Sequence, residues 1–156
     1  METFVFTCRC DTVAAPIIYS VKRDVKVAAH QVQRTPGVTQ LLGGLFPSIC
    51  AASSVLETGL SNLGMIFHPV PVLMNLTRIE AKERFLYYKE GITPLVAGVL
   101  ERLDAERLSV ADALGVSVSP AIAWLGARYG AQGNNLYETI QDTDAYANVY
   151  LSLIHI

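Results

Sequence analysis

The sequence predicts a mainly α chain: a multi-helical domain preceded by a few short β-strands. Three observations carry this expectation. Valine, isoleucine, threonine and aromatic residues concentrate before residue 30, the composition of strands. From Thr35 onward, apolar residues recur three and four apart between proline and glycine breaks. The stretch from Thr93 to Gly115 has both ends of a helix written in it.

Thr3–Cys8 is β-branched and aromatic and reads as the first strand. Ala15–Lys22 and Val25–Ala29 follow, separated by Arg23-Asp24, a turn-sized gap. Val25, Val27 and Ala29 alternate with Lys26 and Ala28, the pattern of a half-exposed strand. Three short strands do not make a stable domain, so residues 1–34 read as the end of a sheet that begins elsewhere.

Thr35-Pro36 opens the first helix, with proline in its first turn. Val38, Leu41, Leu42 and Leu45 follow at helical spacing, Gly43-Gly44 weakens the helix, and Pro47 ends it. The domain boundary falls near Thr35 to Pro47. A second helix covers about Ser53 to Ser61 with Val55, Leu56 and Leu60 inward. His68-Pro69 is a helix break, because a residue before proline is disfavoured in helical dihedrals; a helix resumes over Val70–Leu76. Arg78 to Lys89 is a mixed surface anchored by Phe85, Tyr87 and Tyr88. Thr93 caps the next helix, Pro94 is its first residue and Gly115 lies just past its end. Asp104, Glu106 and Arg107 fit a solvated or helix-packing face better than a pair of catalytic carboxylates with a clamp. Ser119-Pro120 starts a further helix with Ile122, Leu125 and Tyr129 on one stripe, stopped by Gly130. Trp124 reads as core. Asn135 and Glu138, three apart, resemble a capping box for a short helix through Ile140.

At 156 residues the chain holds one domain, or the tail of one and the body of another. It is 51% hydrophobic and 17% charged, with a mean hydropathy of +0.34, which is apolar for a free-standing domain. The uncharged stretch from Thr35 to Leu56 is broken by Pro36-Gly37, Gly43-Gly44 and Pro47, against a membrane span. A net charge of −2 without a basic patch speaks against nucleic acid as a partner. Cys8, Cys10 and Cys50 have no Cys or His pair at ligand spacing, so no metal site is expected, and a reducing cytoplasm is the default compartment. No Gly-x-Gly-x-x-Gly follows a strand and no phosphate loop occurs.

The charge-free stretch from Thr58 to Thr77 holds His68, one of three histidines. An imidazole there is either a packed core group or a proton-transfer group, since its unperturbed pKa lies near neutrality. His30 closes a strand and reads as solvated.

The order Leu60-Ser61-Asn62-Leu63-Gly64, His68-Pro69, Asn75, Arg78-Ile79-Glu80 and Tyr87-Tyr88-Lys89-Glu90-Gly91 resembles the substrate domain of the octopine/nopaline (opine) dehydrogenase family. Leu103-Asp104-Ala105-Glu106-Arg107-Leu108, Ala113-Leu114-Gly115 and the run Tyr129 to Glu138 fit the same family. The resemblance extends from Glu2-Thr3 to about Tyr146. It implies that residues 1–34 are the last strands of a nucleotide-binding, Rossmann-type domain. Residues 35–150 would be a helical substrate domain similar to the 6-phosphogluconate dehydrogenase C-terminal-like fold.

The resemblance also implies an activity: NADH- or NADPH-dependent reductive condensation of a 2-oxo acid with an amino acid, hydride passing to the imine carbon. His68 would be the proton-transfer residue, with Asn62 and, more weakly, Asn75 hydrogen-bonding substrate. Two departures qualify the transfer. Some members carry an additional asparagine where this chain has Gly64, and the family histidine pairs with an aspartate that would lie beyond Ile156. The chain therefore reads as a fragment, inactive without the nucleotide-binding domain. Residues 151–156, Leu-Ser-Leu-Ile-His-Ile, read as a non-native tail, which leaves His155 without a role. Two further readings stay open: another two-domain reductase of ketopantoate or hydroxy-acid type, and a helical interaction module without chemistry.

Overall fold

In the computed structural model, residues 1–12 and 15–151 are described; the tail from residue 152, His155 included, and the Cys10 side chain lie outside the described residues. The chain divides into two units, Met1–Asn62 with Ala111–Val118, and Leu63–Val110 with Ser119–Ile156.

The first unit carries the strands. β1 (Phe6–Thr12) pairs antiparallel with β2 (Ala15–Val21), Phe6 opposite Val21. The first strand thus begins three residues later than composition suggests, because the pairing partner sets where the ladder runs. β3 (Val25–Val27) pairs in parallel with β4 (Ile49–Ala51). Parallel strands need a crossover, and α1 (Thr35–Gly43) supplies it after a single 3-10 turn, Val32–Arg34. β4 was not expected: three residues are too few to show a period of two. Val25 and Val27 are buried and Lys26 is half-buried, as the alternation predicts.

α1 departs from its apolar pattern, since Leu41 and Leu45 are exposed. It is anchored instead through Thr35, a buried residue whose hydroxyl accepts the Ala29 amide at 3.1 Å. In α2 (Val55–Leu60) the expected inward residues Val55 and Leu56 are exposed, and Glu57 and Thr58 are buried. The Glu57 carboxylate explains the inversion: it accepts from the Ser53 amide and hydroxyl, both at 2.7 Å, and from Lys26 Nζ at 2.5 Å.

The second unit is helical. Its elements are α3 (Gly64–Phe67), α4 (Pro69–Met74), α5 (Leu76–Glu80), α6 (Pro94–Ala113), α7 (Ala121–Tyr129) and α8 (Leu136–Asp142). Its core gathers Phe67, Tyr87, Ile92, Leu100, Leu125, Leu136 and Ile140. Trp124 packs against this core from a half-buried position, its ring 5.8 Å from that of Tyr129. The caps of α6 follow the sequence: Thr93 Oγ1 accepts the Val96 amide at 3.3 Å. At the other end Gly115 has φ +67°, and the Gly115 and Val116 amides return to Asp112 and Ala111, a Schellman turn. Asn135 Oδ1 accepts the Glu138 amide at 2.8 Å to start α8.

The inward stripe of α6 is not wholly apolar. Val96 and Leu100 continue into Asp104 and Arg107, which are buried. Arg107 Nε and Nη2 donate to Asp104 Oδ1 at 2.9 and 2.7 Å, and Nη2 also reaches the Ser119 carbonyl at 2.6 Å. These charges serve packing, but on a buried face rather than a solvated one. On the other side of the helix Leu95, listed among the apolar positions by spacing, is exposed.

Candidate functional site

Histidine 68 stands between two short helices because its neighbours cannot continue one. In an α-helix each carbonyl receives the N–H four residues on. Pro69 cannot serve the Met65 carbonyl, and Pro71 cannot serve the Phe67 carbonyl. α3 accordingly stops at Phe67 and α4 starts at Pro69, with His68 as the joint. The expectation that His68 would leave helical dihedrals is corrected: φ −97° and ψ −58° remain in the right-handed helical region. The missing N–H groups, rather than a dihedral change, make the break.

The orphaned carbonyls find a donor from far along the chain. The Tyr87 hydroxyl lies 3.1 Å from the Phe67 carbonyl oxygen and 2.5 Å from that of His68. Tyr87 is fully buried, and its ring meets Tyr88 edge-on at 4.9 Å. Tyr88 in turn stacks on Tyr146 at 3.9 Å. Burial pushes the Tyr87 hydroxyl well above the usual phenol range, so it remains a neutral donor.

Asn75 occupies the opposite end of α4, with φ −116° and ψ 17° separating α4 from α5. The helix expected over Val70–Leu76 is therefore two helices. The Asn75 side chain is buried and its Nδ2 donates to the Pro71 and Gly91 carbonyls, both at 2.8 Å. Both amide protons are spent inside the protein.

A single segment, Tyr87 to Gly91, thus holds both ends of α4: the Tyr87 hydroxyl at His68 and the Gly91 carbonyl at Asn75. The segment is itself fastened. Lys89 Nζ donates to the Gln141 carbonyl and, at 3.2 Å, to that of Ile140, satisfying the end of α8. Burial lowers the Lys89 pKa, and Asp144 and Asp142 partly oppose this. Gln141 Nε2 returns a bond to the Lys89 carbonyl at 3.2 Å. Gly91 allows the close approach, since a Cβ there would meet the Tyr87 carbonyl oxygen at 2.4 Å.

His68 is half-buried, as a group that meets both protein and solvent must be. Asn62 is exposed and closes the turn after α2, its amide donating to the Gly59 carbonyl at 3.2 Å. His68 and Asn75 are brought to the two ends of one helix; Asn62 belongs to the other unit. Tyr87 and Lys89 escaped a role in the sequence reading. The local signal for Tyr87 was Pro71, which strips a carbonyl of its donor, but the donor's identity needed the fold. Among the described residues no three His, Cys, Asp or Glu side chains cluster as metal ligands. No helix there is long and apolar enough to cross a membrane.

Comparisons place this geometry among known proteins. Residues 51–151 match the family described as NAD/NADP octopine/nopaline dehydrogenase, alpha-helical domain. An opine dehydrogenase of Arthrobacter sp. (strain 1C) is 31% identical over 148 residues, covering 95% of this chain and 41% of that enzyme. Two solved octopine dehydrogenase structures share the fold. One, with NADH and L-arginine, has a TM-score of 0.68 at 22% identity; the other, with NADH and agmatine, has 0.69 at 20%. Each is matched by 97% of this chain and over 42% of its own length.

Proposed function

The chain belongs to the octopine/nopaline dehydrogenase family, and from that premise we propose that it forms the substrate-binding part of an opine dehydrogenase. The chain spans about two-fifths of the length of the relatives it matches, so the activity is proposed for the whole protein. The reaction is the reductive condensation of a 2-oxo acid with the amino group of an amino acid or amine, with NADH or NADPH as reductant. Residues 1–34 are proposed as the last part of the nucleotide-binding domain and residues 35–150 as the helical substrate domain; β3, α1 and β4 support this as a small parallel crossover unit.

The observation that carries the reading is the fixed joint at His68. A proton-transfer residue must be held within hydrogen-bond reach of the reacting group. His68 is half-buried at a proline-made break whose carbonyl is held by a buried hydroxyl. In the proposed role its imidazole gives a proton as the carbonyl oxygen leaves as water, and takes one in the reverse direction. Asn62, exposed, is proposed to orient a substrate carboxylate. Asn75 is proposed to support the site mainly by holding α4, since its Nδ2 protons are spent on Pro71 and Gly91.

The reductant's own site is a different matter. A dinucleotide is held by a glycine-rich turn between a strand and a helix, with amides facing the phosphates. No such turn occurs in the sequence. The residues present do not fit the cofactor, and no hydride step is derived from them. The 156 residues alone are expected not to turn over. The cytoplasm is the proposed compartment, where the exposed Cys8 thiol stays reduced.

The test is NAD(P)H oxidation by the full-length protein with pyruvate and a panel of amino substrates. Arginine and agmatine, the ligands of the similar octopine dehydrogenases, come first. A secondary amine product, found by mass spectrometry, supports the reading. Reduction of the oxo acid to a hydroxy acid without amine incorporation refutes it.

A further inference from the structure

The Tyr87 hydroxyl does what a backbone N–H would do if position 71 were not proline. A continuous helix would aim the residue 71 amide at the Phe67 carbonyl; Pro71 has none, and the hydroxyl sits there at 3.1 Å, and at 2.5 Å from the next carbonyl, that of His68. A phenol has one proton to give, so it holds this pair of peptide groups as a shared, two-centre contact. The ring cannot drift, because it is fully buried and braced by Tyr88, which stacks on Tyr146. The Tyr87 amide is fastened as well, donating to the Val149 carbonyl at 2.7 Å. The hydroxyl thus transmits the rigidity of the aromatic core to the peptide that carries His68.

We propose that Tyr87 is the positioning residue of His68, fixing through its hydroxyl the backbone from which the imidazole meets substrate. This rests on the proton-transfer role proposed for His68. Tyr87 touches no reacting atom in this scheme, so its contribution must vanish when the imidazole is gone. A residue that merely stabilises the fold would act equally with or without His68.

A double-mutant cycle in the full-length protein separates these roles. The variants are Tyr87→Phe, His68→Gln and both together, each assayed for kcat/KM and kcat in opine formation. Tyr87→Phe keeps the ring and removes only the hydroxyl. Loss of one buried donor predicts a fall of about 5- to 30-fold, mostly in kcat. With Gln at position 68, the same change is expected to alter the residual rate less than about twofold. An equal fall in both backgrounds, or none in either, with H68Q still impaired, overturns the positioning role and leaves the His68 reading standing. An H68Q protein as active as its parent overturns both. Should Tyr87→Phe not fold, the cycle is run with Pro71→Ala added throughout. That change returns an N–H at position 71 to the Phe67 carbonyl, and the same outcomes decide.

Discussion

Asp104 caps a helix to which it does not belong: its Oδ2 accepts the Ala121 amide, 17 residues on, at 2.8 Å. Its other oxygen takes both Arg107 bonds, and Arg107 closes the loop on the Ser119 carbonyl. One carboxylate therefore holds the start of α7 against α6. Removing it strands a buried guanidinium and leaves an amide uncapped. Asp104→Ala is expected to cost about 3–5 kcal/mol, read as a fall in the denaturation midpoint of the full-length protein. Asp104→Asn keeps an acceptor for Ala121 and is expected to cost less. The exposed neighbour Glu106→Ala should stay within about 0.5 kcal/mol.

Asn75→Ala removes the amide that joins Pro71 to Gly91. Two carbonyls lose their partner in a buried place, for an expected cost of about 2–4 kcal/mol. Thermal and denaturant unfolding check this. A variant within about 0.5 kcal/mol of its parent would show that α4 does not need this clamp.

Glycines divide by what surrounds them. A methyl at Gly91 would meet the Tyr87 carbonyl oxygen at 2.4 Å and the Phe85 ring at 2.9 Å, while at Gly98, inside α6, it meets nothing within 4 Å. Gly91→Ala is expected to destabilise by about 1–3 kcal/mol or more. Gly98→Ala should stabilise by about 0.5–1 kcal/mol through helix propensity. Paired melting curves of the two variants give the opposite signs directly.

What was legible in the sequence was what is local. Thr93, Gly115 and Asn135 act on their own helix ends, within a turn, and each was placed by its spacing. The His68-Pro69 break was also legible, because proline acts on its immediate neighbours. The burial of Asp104 and Arg107 was not, since charges three apart look alike on a wet or a dry face until a second helix covers them. Glu57 was hidden for a similar reason: Lys26, its partner, lies 31 residues away on a strand. The donor for Phe67 and His68 lies about 20 residues downstream, beyond any periodic signal. Among the site residues, His68 stood out by the absence of charge around it, and Asn75 stood out by resemblance while its buried bonds needed the fold.

Glu57 gives the first unit an acid sensitivity. Burial raises its pKa, but hydrogen bonds from Lys26 and Ser53 outweigh this and hold it below the usual carboxylate range. The folded value is then below the unfolded one. The stabilisation is complete above the unfolded carboxylate pKa, about 4.3, and is lost as pH falls through the lowered folded value. Unfolding followed from pH 7 to pH 3 is expected to show a steeper acid loss for the parent than for Glu57→Gln. Parallel curves would remove Glu57 as the cause.

The central claim is that His68 moves the proton in an opine-forming reaction. The most direct measurement is kcat/KM for secondary amine formation, as a function of pH, in the full-length protein and in His68→Gln. The account predicts a fall of about 10²- to 10⁴-fold and loss of the near-neutral limb of the pH profile, with an unchanged denaturation midpoint. A His68→Gln enzyme that keeps both its rate and that limb would contradict it.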